Sequence, residues 1–139
     1  MNKVQDVNII LIDADDRVRG YLRSMLLRFG FAHIRDVGSG EKALKDISLD
    51  PINLVFLDMN VPDIEGLELI KNIHERQPKC QIIVTSNSIT EGLVRQITEA
   101  HIKRIILKPF NNRTIETKVR EVLPLLYTTN WSTEPVLST

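Results

Sequence analysis

Four polar residues follow directly after four short apolar segments of the sequence. Two of them are acids, one carries a hydroxyl and one an ammonium group: Asp13, Asp58, Thr85 and Lys108. If the apolar segments are parallel strands of one sheet, their carboxyl ends meet at one edge, where such sheets bind ligands. We therefore expect these four side chains to lie close together.

Grouped carboxylates favour a bound cation. Two carboxylates about 4 Å apart repel by roughly 1–4 kcal/mol at effective dielectric constants of 80 to 20. Oxygen ligands with retained waters suit Mg²⁺. With Mg²⁺ bound, one carboxylate can attack a phosphoryl donor, while the metal and Lys108 neutralise the transferring oxygens and Thr85 donates a hydrogen bond to the product. The residue types therefore indicate phosphoryl transfer to a carboxylate.

Five apolar segments alternate with five stretches of helical periodicity. The predicted strands are rich in Ile, Val and Leu and lie at 7–12, 34–37, 52–58, 81–85 and 104–107. The predicted helices carry apolar residues at every third or fourth position and lie at 16–29, 39–47, 66–77, 90–101 and 112–126. This α/β alternation demands a doubly wound parallel sheet with helices on both faces.

The composition describes one domain with an aliphatic core. Apolar residues make up 42% of the 139 residues and aromatic residues 5%, and 18 basic residues balance 18 acidic ones. A neutral chain has no overall attraction to nucleic acid or to anionic membranes. A single cysteine, Cys80, and the lack of an apolar run of about 20 residues predict a cytoplasmic protein. Residues 1–127 are predicted to form the domain, and residues 128–139 a flexible tail or linker stub.

Taken together, four segments resemble the receiver domains of two-component response regulators. They are 10–13 (Ile-Leu-Ile-Asp), 57–66 (Leu-Asp-Met-Asn-Val-Pro-Asp-Ile-Glu-Gly), 84–86 (Val-Thr-Ser) and 108–110 (Lys-Pro-Phe). The resemblance covers residues from about 7 to 126 and implies a five-stranded (βα)5, flavodoxin-like fold.

The resemblance also implies roles for individual residues. Asp58 matches the phosphoacceptor, Asp13 matches an acidic ligand of Mg²⁺, and the carbonyl oxygen of Asn60 matches a further metal ligand. Thr85 and Lys108 match the hydroxyl and the lysine that contact the phosphoryl group. The remaining match is the family's cis-peptide proline, Pro109, at an X-Pro bond where cis is accessible.

Two positions depart from the family pattern. The family's second metal-binding acid falls on Ala14, which puts Mg²⁺ affinity in question, and Asp15 is one residue late, as either a further ligand or a helix cap. The family's rotating aromatic switch residue falls on Ile105, so switching must run through Thr85 and repacking of the fourth helix and fifth strand.

The leading hypothesis is a signalling domain rather than an enzyme with a separate substrate, although it catalyses its own phosphotransfer and dephosphorylation. Its expected partners are a histidine kinase or phosphotransfer protein, and a target protein that binds the face of the fourth helix, fifth strand and fifth helix. No direct nucleic-acid or membrane contact is expected. Phosphorylation-dependent homodimerisation, and whether the chain is free-standing or part of a longer protein, stay open.

Two alternatives remain at this point. The first is a degenerate receiver that binds partners without phosphorylation, which Ala14 motivates. The second is a haloacid-dehalogenase-like phosphatase, because Asp13-Ala14-Asp15 resembles the Asp-x-Asp motif of that family. That motif needs Thr or Val where this chain has Arg17, and it leaves Asp58 unexplained.

Overall fold

The structure, a computed structural model, describes residues 4–128 and contains a five-stranded parallel sheet of order β2-β1-β3-β4-β5. The strands are β1 (Asn8–Ile12), β2 (His33–Val37), β3 (Leu54–Asp58), β4 (Gln81–Ser86) and β5 (Arg104–Leu107). The helices are α1 (Asp16–Phe29), α2 (Gly40–Leu49), α3 (Gly66–Arg76), α4 (Glu91–Glu99) and α5 (Asn112–Thr128), preceded by a short 3₁₀ turn at Val4–Asp6. The predicted (βα)5 fold is confirmed.

Two hydrophobic layers sandwich the sheet. One packs α2, α3 and α4 against side chains such as Val55, Leu57 and Val84. The other packs α1 and α5 against alternate residues of the same strands, including Leu54 and Phe56. Because β3 is central and buried along its whole length, its last residue, Asp58, is carried to the edge of the sheet by a rigid element.

Side-chain caps begin four of the helices, and that of α5 is provided by Asn111. Asp15 accepts from the backbone N–H of Arg17 at α1, Ser39 accepts from that of Lys42 at α2, and Thr90 accepts from that of Leu93 at α4. Such caps satisfy N–H groups that lack a partner in the first helical turn. At the other end of α1, Gly30 adopts φ = 115°, a left-handed conformation that glycine tolerates best.

Element boundaries differ from the prediction by one to two residues in several places. Helix α4 ends at Glu99, two residues before its predicted end, because His101 turns the chain with φ = 63°. Helix α5 continues through Thr128, which the sequence analysis assigned to the tail, while residues 129–139 lie outside the described part of the chain. No helix within residues 4–128 is both long and apolar enough to cross a bilayer.

Candidate functional site

Lys108 lies between two buried aspartates at the carboxyl edge of the sheet. Its Nζ atom is 2.7 Å from Oδ2 of Asp13 and 3.5 Å from Oδ2 of Asp58. The residues come from the ends of β1, β3 and β5, which are brought together only by the strand order. Asp13 and Asp58 are 3% and 5% exposed, so the ammonium group offsets two charges that water barely reaches.

Asp13 is fixed by contacts on both its backbone and its side chain. Its N–H donates to the carbonyl of Val37 (3.2 Å), and its own carbonyl accepts a hydrogen bond from Nη1 of Arg19 (2.6 Å). Oδ1 accepts from the N–H of Asp15 (2.9 Å), while Oδ2 accepts from Lys108. The carboxylate therefore has one orientation, with Oδ2 directed at the ammonium group.

Asp58 is held less completely. Oδ1 accepts the N–H of Asn60 at 2.9 Å, which closes a turn over the carboxylate. Burial raises the pKa of Asp58 above its usual value, and the nearby charge of Asp13 adds to the increase, whereas the Asn60 N–H and Lys108 oppose it. A carboxylate with a raised pKa is more basic when ionised, which is a useful property for a nucleophile.

The strand register places Thr85 beside Asp58. The two residues are paired across β3 and β4, and the N–H of Met59 donates to the carbonyl of Thr85 (2.9 Å). Thr85 is buried. On the next strand, the N–H of Lys108 donates to the carbonyl of Ser86 (2.8 Å). The hydroxyl, the carboxylate and the lysine thus follow one another along neighbouring strands.

The peptide bond between Lys108 and Pro109 is cis, as the sequence resemblance implied. The proline turns the chain from β5 toward α5, where Asn111 caps the helix by accepting from the N–H of Thr114 (3.0 Å). Only residues 108–111 separate β5 from α5, so Lys108 lies in a short connection directly after the strand.

Ala14 and Asp15 do not replace the missing acid in this geometry. Ala14 is exposed, and the carboxylate of Asp15 caps α1 and bonds the guanidinium of Arg17. These contacts lower the pKa of Asp15, chiefly through the Arg17 side chain. The cap role is the one that these contacts support, and a role for Asp15 as a metal ligand stays a prediction.

The donor atoms at this edge fit a hard cation that keeps part of its hydration shell. Within residues 4–128 no group of three or more His, Cys, Asp or Glu side chains is arranged to hold a metal ion. Asp13 and Asp58 nevertheless supply carboxylate oxygens, and the turn at Asn60 supplies a neighbouring carbonyl. Mg²⁺ usually keeps several waters and is bound through one or two carboxylates.

Two supporting residues were missed by the sequence analysis. Arg19 reaches back from α1 to the carbonyl of Asp13. Asp63, in the loop after β3, accepts hydrogen bonds from the N–H groups of Gly40 (2.9 Å) and Glu41 (3.0 Å) at the start of α2, and these bonds lower its pKa. Neither residue has a sequence signal that identifies its partner, because each contact depends on tertiary packing.

Ile105 and the three histidines also occupy defined places. Ile105 is partly buried and packs against the layer that contains α4, so the aliphatic side chain fills the space beside that helix. His33 and His101 are exposed and His74 is half-buried. None of the three is among the residues that form the Asp13–Lys108–Asp58 group.

Comparison with known proteins decides the family. Residues 9–120 match the model of the response regulator receiver domain. This chain belongs to the response regulator receiver domain family. Receiver domains are signalling domains of two-component systems, not enzymes that turn over a separate substrate. The match assigns the chain to this family rather than to the haloacid-dehalogenase-like phosphatases.

Similar proteins share the receiver fold at low sequence identity. The transcriptional activator protein ExaE of Pseudomonas putida is 31% identical over 108 residues, which cover 70% of this chain and 50% of ExaE, so the receiver corresponds to about half of that protein. A CheY-like receiver domain protein from Methanospirillum hungatei JF-1 superposes with a TM-score of 0.80 at 23% identity, covering 86% of this chain and 95% of the other.

A third similar protein was solved in a modified form. It is a response regulator from Burkholderia pseudomallei with a phosphorylated aspartic acid, a calcium ion and citrate, with a TM-score of 0.71 at 24% identity and coverage of 85% of this chain and 74% of the other. At such identities both superpositions show the fold.

Proposed function

We propose that this receiver domain accepts a phosphoryl group on Asp58 and relays it as a change in a protein-binding face. One observation carries the proposal: Lys108 bridges two buried carboxylates, of which Asp58 is the less completely held. Asp13 keeps the shorter contact with the ammonium group, so Asp58 has an oxygen that can be given to an incoming phosphorus atom.

The reaction forms an acyl phosphate. An oxygen of Asp58 attacks the phosphorus of a phosphohistidine, the new O–P bond forms as the P–N bond breaks, and the departing imidazole takes a proton. Lys108 then contacts a phosphoryl oxygen in place of its longer contact with Asp58. Thr85, paired with Asp58 across the sheet, donates its hydroxyl to another. Hydrolysis of the acyl phosphate by water resets the domain.

Mg²⁺ is the proposed cofactor, held by Asp13, Asp58 and the carbonyl of Asn60. Bound there, it would compensate the charge of the phosphoryl oxygens. The divalent ion and phosphorylated aspartate of the Burkholderia pseudomallei protein support this assignment by similarity of fold. The absence of a third acid at Ala14 leads us to expect a weaker site than two acids plus Asp58 would give.

The proposed output face is formed by α4, β5 and α5. It carries exposed apolar side chains at Val94 and Leu107, which are 44% and 47% exposed, with Ile89 at 45% in the loop before α4. Thr85 adjoins this region through β4, so its movement toward a phosphoryl group would repack α4 against Ile105. A histidine kinase or phosphotransfer protein is the proposed donor, and a protein is the proposed target.

Phosphodonor labelling read by intact mass tests this proposal. The parent protein, incubated with acetyl phosphate and Mg²⁺, should gain the mass of one phosphoryl group, and omission of Mg²⁺ should abolish the gain. Asp58→Asn should not be labelled. Asp16→Asn is the matched control, because Asp16 is exposed at the first turn of α1, at the same end of the molecule. Labelling of Asp58→Asn equal to that of the parent would reject Asp58 as the acceptor.

A phosphorylation-independent binding module is the second candidate. It is favoured by one observation, the use of Asp15 as a helix cap with Ala14 exposed, which leaves two acids at the site. Titration with Mg²⁺ and then beryllofluoride, followed by NMR of backbone amides, separates the two functions. Shifts at Asp58, Thr85 and Lys108 favour the phosphoacceptor. No shift at millimolar Mg²⁺ favours the binding module.

A further inference from the structure

Arg19 is the fourth residue of α1, about one turn from its start, and its side chain reaches back to the end of β1. Its side chain is 18% exposed, and Nη1 donates to the backbone carbonyl of Asp13 at 2.6 Å. The N–H of Asp13 donates to the carbonyl of Val37 on the neighbouring strand. Both backbone polar groups of Asp13 are therefore tied to elements outside the loop that it begins.

Arg19 is itself oriented by an acid on β2. Nε of Arg19 is 3.6 Å from Oδ1 of Asp36, and Oδ2 of Asp36 accepts two hydrogen bonds from Arg23, at 3.3 and 2.7 Å. Arg23 also donates to the carbonyl of Ile34 at 3.1 Å. This chain of contacts joins α1 to β2 and places the Asp36 carboxylate beside the Arg19 guanidinium, whose buried Nε makes no hydrogen bond of its own within residues 4–128.

Gly38 leaves room for that guanidinium. A Cβ atom added at Gly38 would lie 3.3 Å from Nη1 of Arg19, which is closer than ordinary van der Waals contact. The backbone of Gly38 does not adopt a positive φ, so an alanine there would act on Arg19 by contact and not through backbone strain. The position therefore offers a way to displace the guanidinium without changing its charge.

We infer that Arg19 is a positioning residue for Asp13, which it holds so that the Asp13 carboxylate faces Lys108 and the proposed cation site. The inference deepens the proposed function and rests on it for its consequence in metal binding. The contact is to a backbone carbonyl, so the carboxylate keeps both oxygens for Lys108, for the N–H of Asp15 and for the metal. Ala14 supplies no acid and the Asp15 carboxylate is engaged by Arg17, so the proposed site depends on the placement of Asp13 together with Asp58.

Whether removal of Arg19 weakens or strengthens cation binding distinguishes a positioning role from a purely electrostatic one. A guanidinium close to Asp13 repels a metal cation, so its removal should strengthen cation binding if charge alone matters. If Arg19 acts by positioning, its removal should weaken binding, because the carboxylate is no longer held in place. Loss of an outer partner of a metal ligand typically weakens binding about 10–100-fold.

The experiment compares Arg19→Gln, Arg19→Lys and Gly38→Ala with the parent chain. Binding of Mn²⁺, as a substitute for Mg²⁺, is measured by electron paramagnetic resonance of the free ion. The metal-free protein is also examined by NMR at the amide of Asp15, whose N–H bonds Oδ1 of Asp13. We expect about tenfold weaker Mn²⁺ binding and an upfield Asp15 amide proton in Arg19→Gln, smaller changes of the same direction in Gly38→Ala, and partial recovery in Arg19→Lys.

Two controls lie on the same helix. Arg28→Gln removes an exposed arginine, and Gly20→Ala adds a methyl group where nothing lies within 4 Å; both should match the parent in the two measurements. Unchanged or tighter Mn²⁺ binding by Arg19→Gln, with an unmoved Asp15 amide, would overturn the inference. If Arg19→Gln does not fold, Gly38→Ala decides by the same criteria.

Failure of the proposed function gives a different pattern. A parent protein that binds no Mn²⁺ and takes no label would reject the phosphoacceptor proposal, whereas the metal-free Asp15 amide would still report whether Arg19 positions Asp13.

Discussion

Replacement of Asp58 by asparagine should stabilise the fold at pH 7 in metal-free buffer. The side chain is 5% exposed, and burial, followed by the charge of Asp13, raises its pKa although Asn60 and Lys108 oppose the increase. A raised pKa means that folding disfavours the charged form. Asparagine keeps nearly the same shape and an oxygen for the Asn60 N–H, but it carries no charge.

The magnitude follows from the distances at Lys108. Its Nζ lies 2.7 and 3.5 Å from the Oδ2 atoms of Asp13 and Asp58, so those oxygens are within about 6 Å of each other and repel by about 3 kcal/mol at an effective dielectric constant of 20. Lys108 attracts Asp58 by about 5 kcal/mol on the same basis. Desolvation of a buried ion costs several kcal/mol and decides the sign, so we expect a net gain of about 1–2 kcal/mol in Asp58→Asn.

This gain should depend on pH in a defined direction. The folded-state pKa of Asp58 lies above the ordinary value of 3.8, so its charge destabilises the parent most when the pH is above that raised pKa. As the pH falls through it, the folded protein binds a proton before the unfolded chain does, and the penalty shrinks. The advantage of Asp58→Asn should therefore disappear below about pH 3.8.

Urea unfolding followed by circular dichroism from pH 7 to about pH 3 measures the difference. Glu75→Gln serves as the control, because this exposed acid on α3 should change stability by less than about 0.5 kcal/mol. Mg²⁺ at ten times its Kd should add about 1.4 kcal/mol to the free energy of unfolding of the parent alone. The difference in stability between Asp58→Asn and the parent should therefore become smaller. An Asp58→Asn protein less stable than the parent at pH 7 without metal would refute the reasoning.

Four further outcomes follow from the structure. Lys108→Met should lower the free energy of unfolding by about 3–5 kcal/mol in metal-free urea unfolding, because two buried carboxylates lose their cation. The loss should be smaller in the background of Asp58→Asn, and an equal loss would argue against coupling between Lys108 and Asp58. Gly66→Ala should lower the free energy of unfolding by about 1–3 kcal/mol, because the added Cβ would lie 2.6 Å from the thioether of Met59. The double variant with Met59→Ala should recover most of that stability, and no recovery would show that the backbone is the obstacle. Asp63→Asn should lower stability at pH 7, because the carboxylate accepts two N–H bonds from α2 and the amide oxygen can accept only one. The difference should vanish below the lowered pKa of Asp63, where the parent carboxyl is also neutral; equal urea midpoints at pH 7 would contradict this. Burial raises the pKa of the Cys80 thiol to about 12, so iodoacetamide at pH 8 should label it only on unfolding, and rapid labelling of the native protein would show that the site opens.

The strands and the principal site residues could be predicted because their signals are local. The Ile- and Val-rich segments that became β1, β3 and β4 are too short for helices and are flanked by helical periodicity. Asp13, Asp58 and Lys108 each follow such a segment, and the rule that parallel strands end at one edge was enough to group them. Helix ends were less predictable, since His101 terminates α4 through its left-handed backbone conformation, which no residue type other than glycine signals reliably.

The doubly wound sheet, the family and the residues at the carboxyl edge of the sheet could be read from the chain, because apolar period and residue type are local properties. The sharing of Lys108 between Asp13 and Asp58, the capping of α1 by Asp15, and the support that Arg19 and Asp63 give to the loops around the site became visible only in three dimensions. Those outcomes depend on distances between elements that are far apart in sequence. Side-chain charges of similar type compete for the same partner there, and packing determines which contact forms.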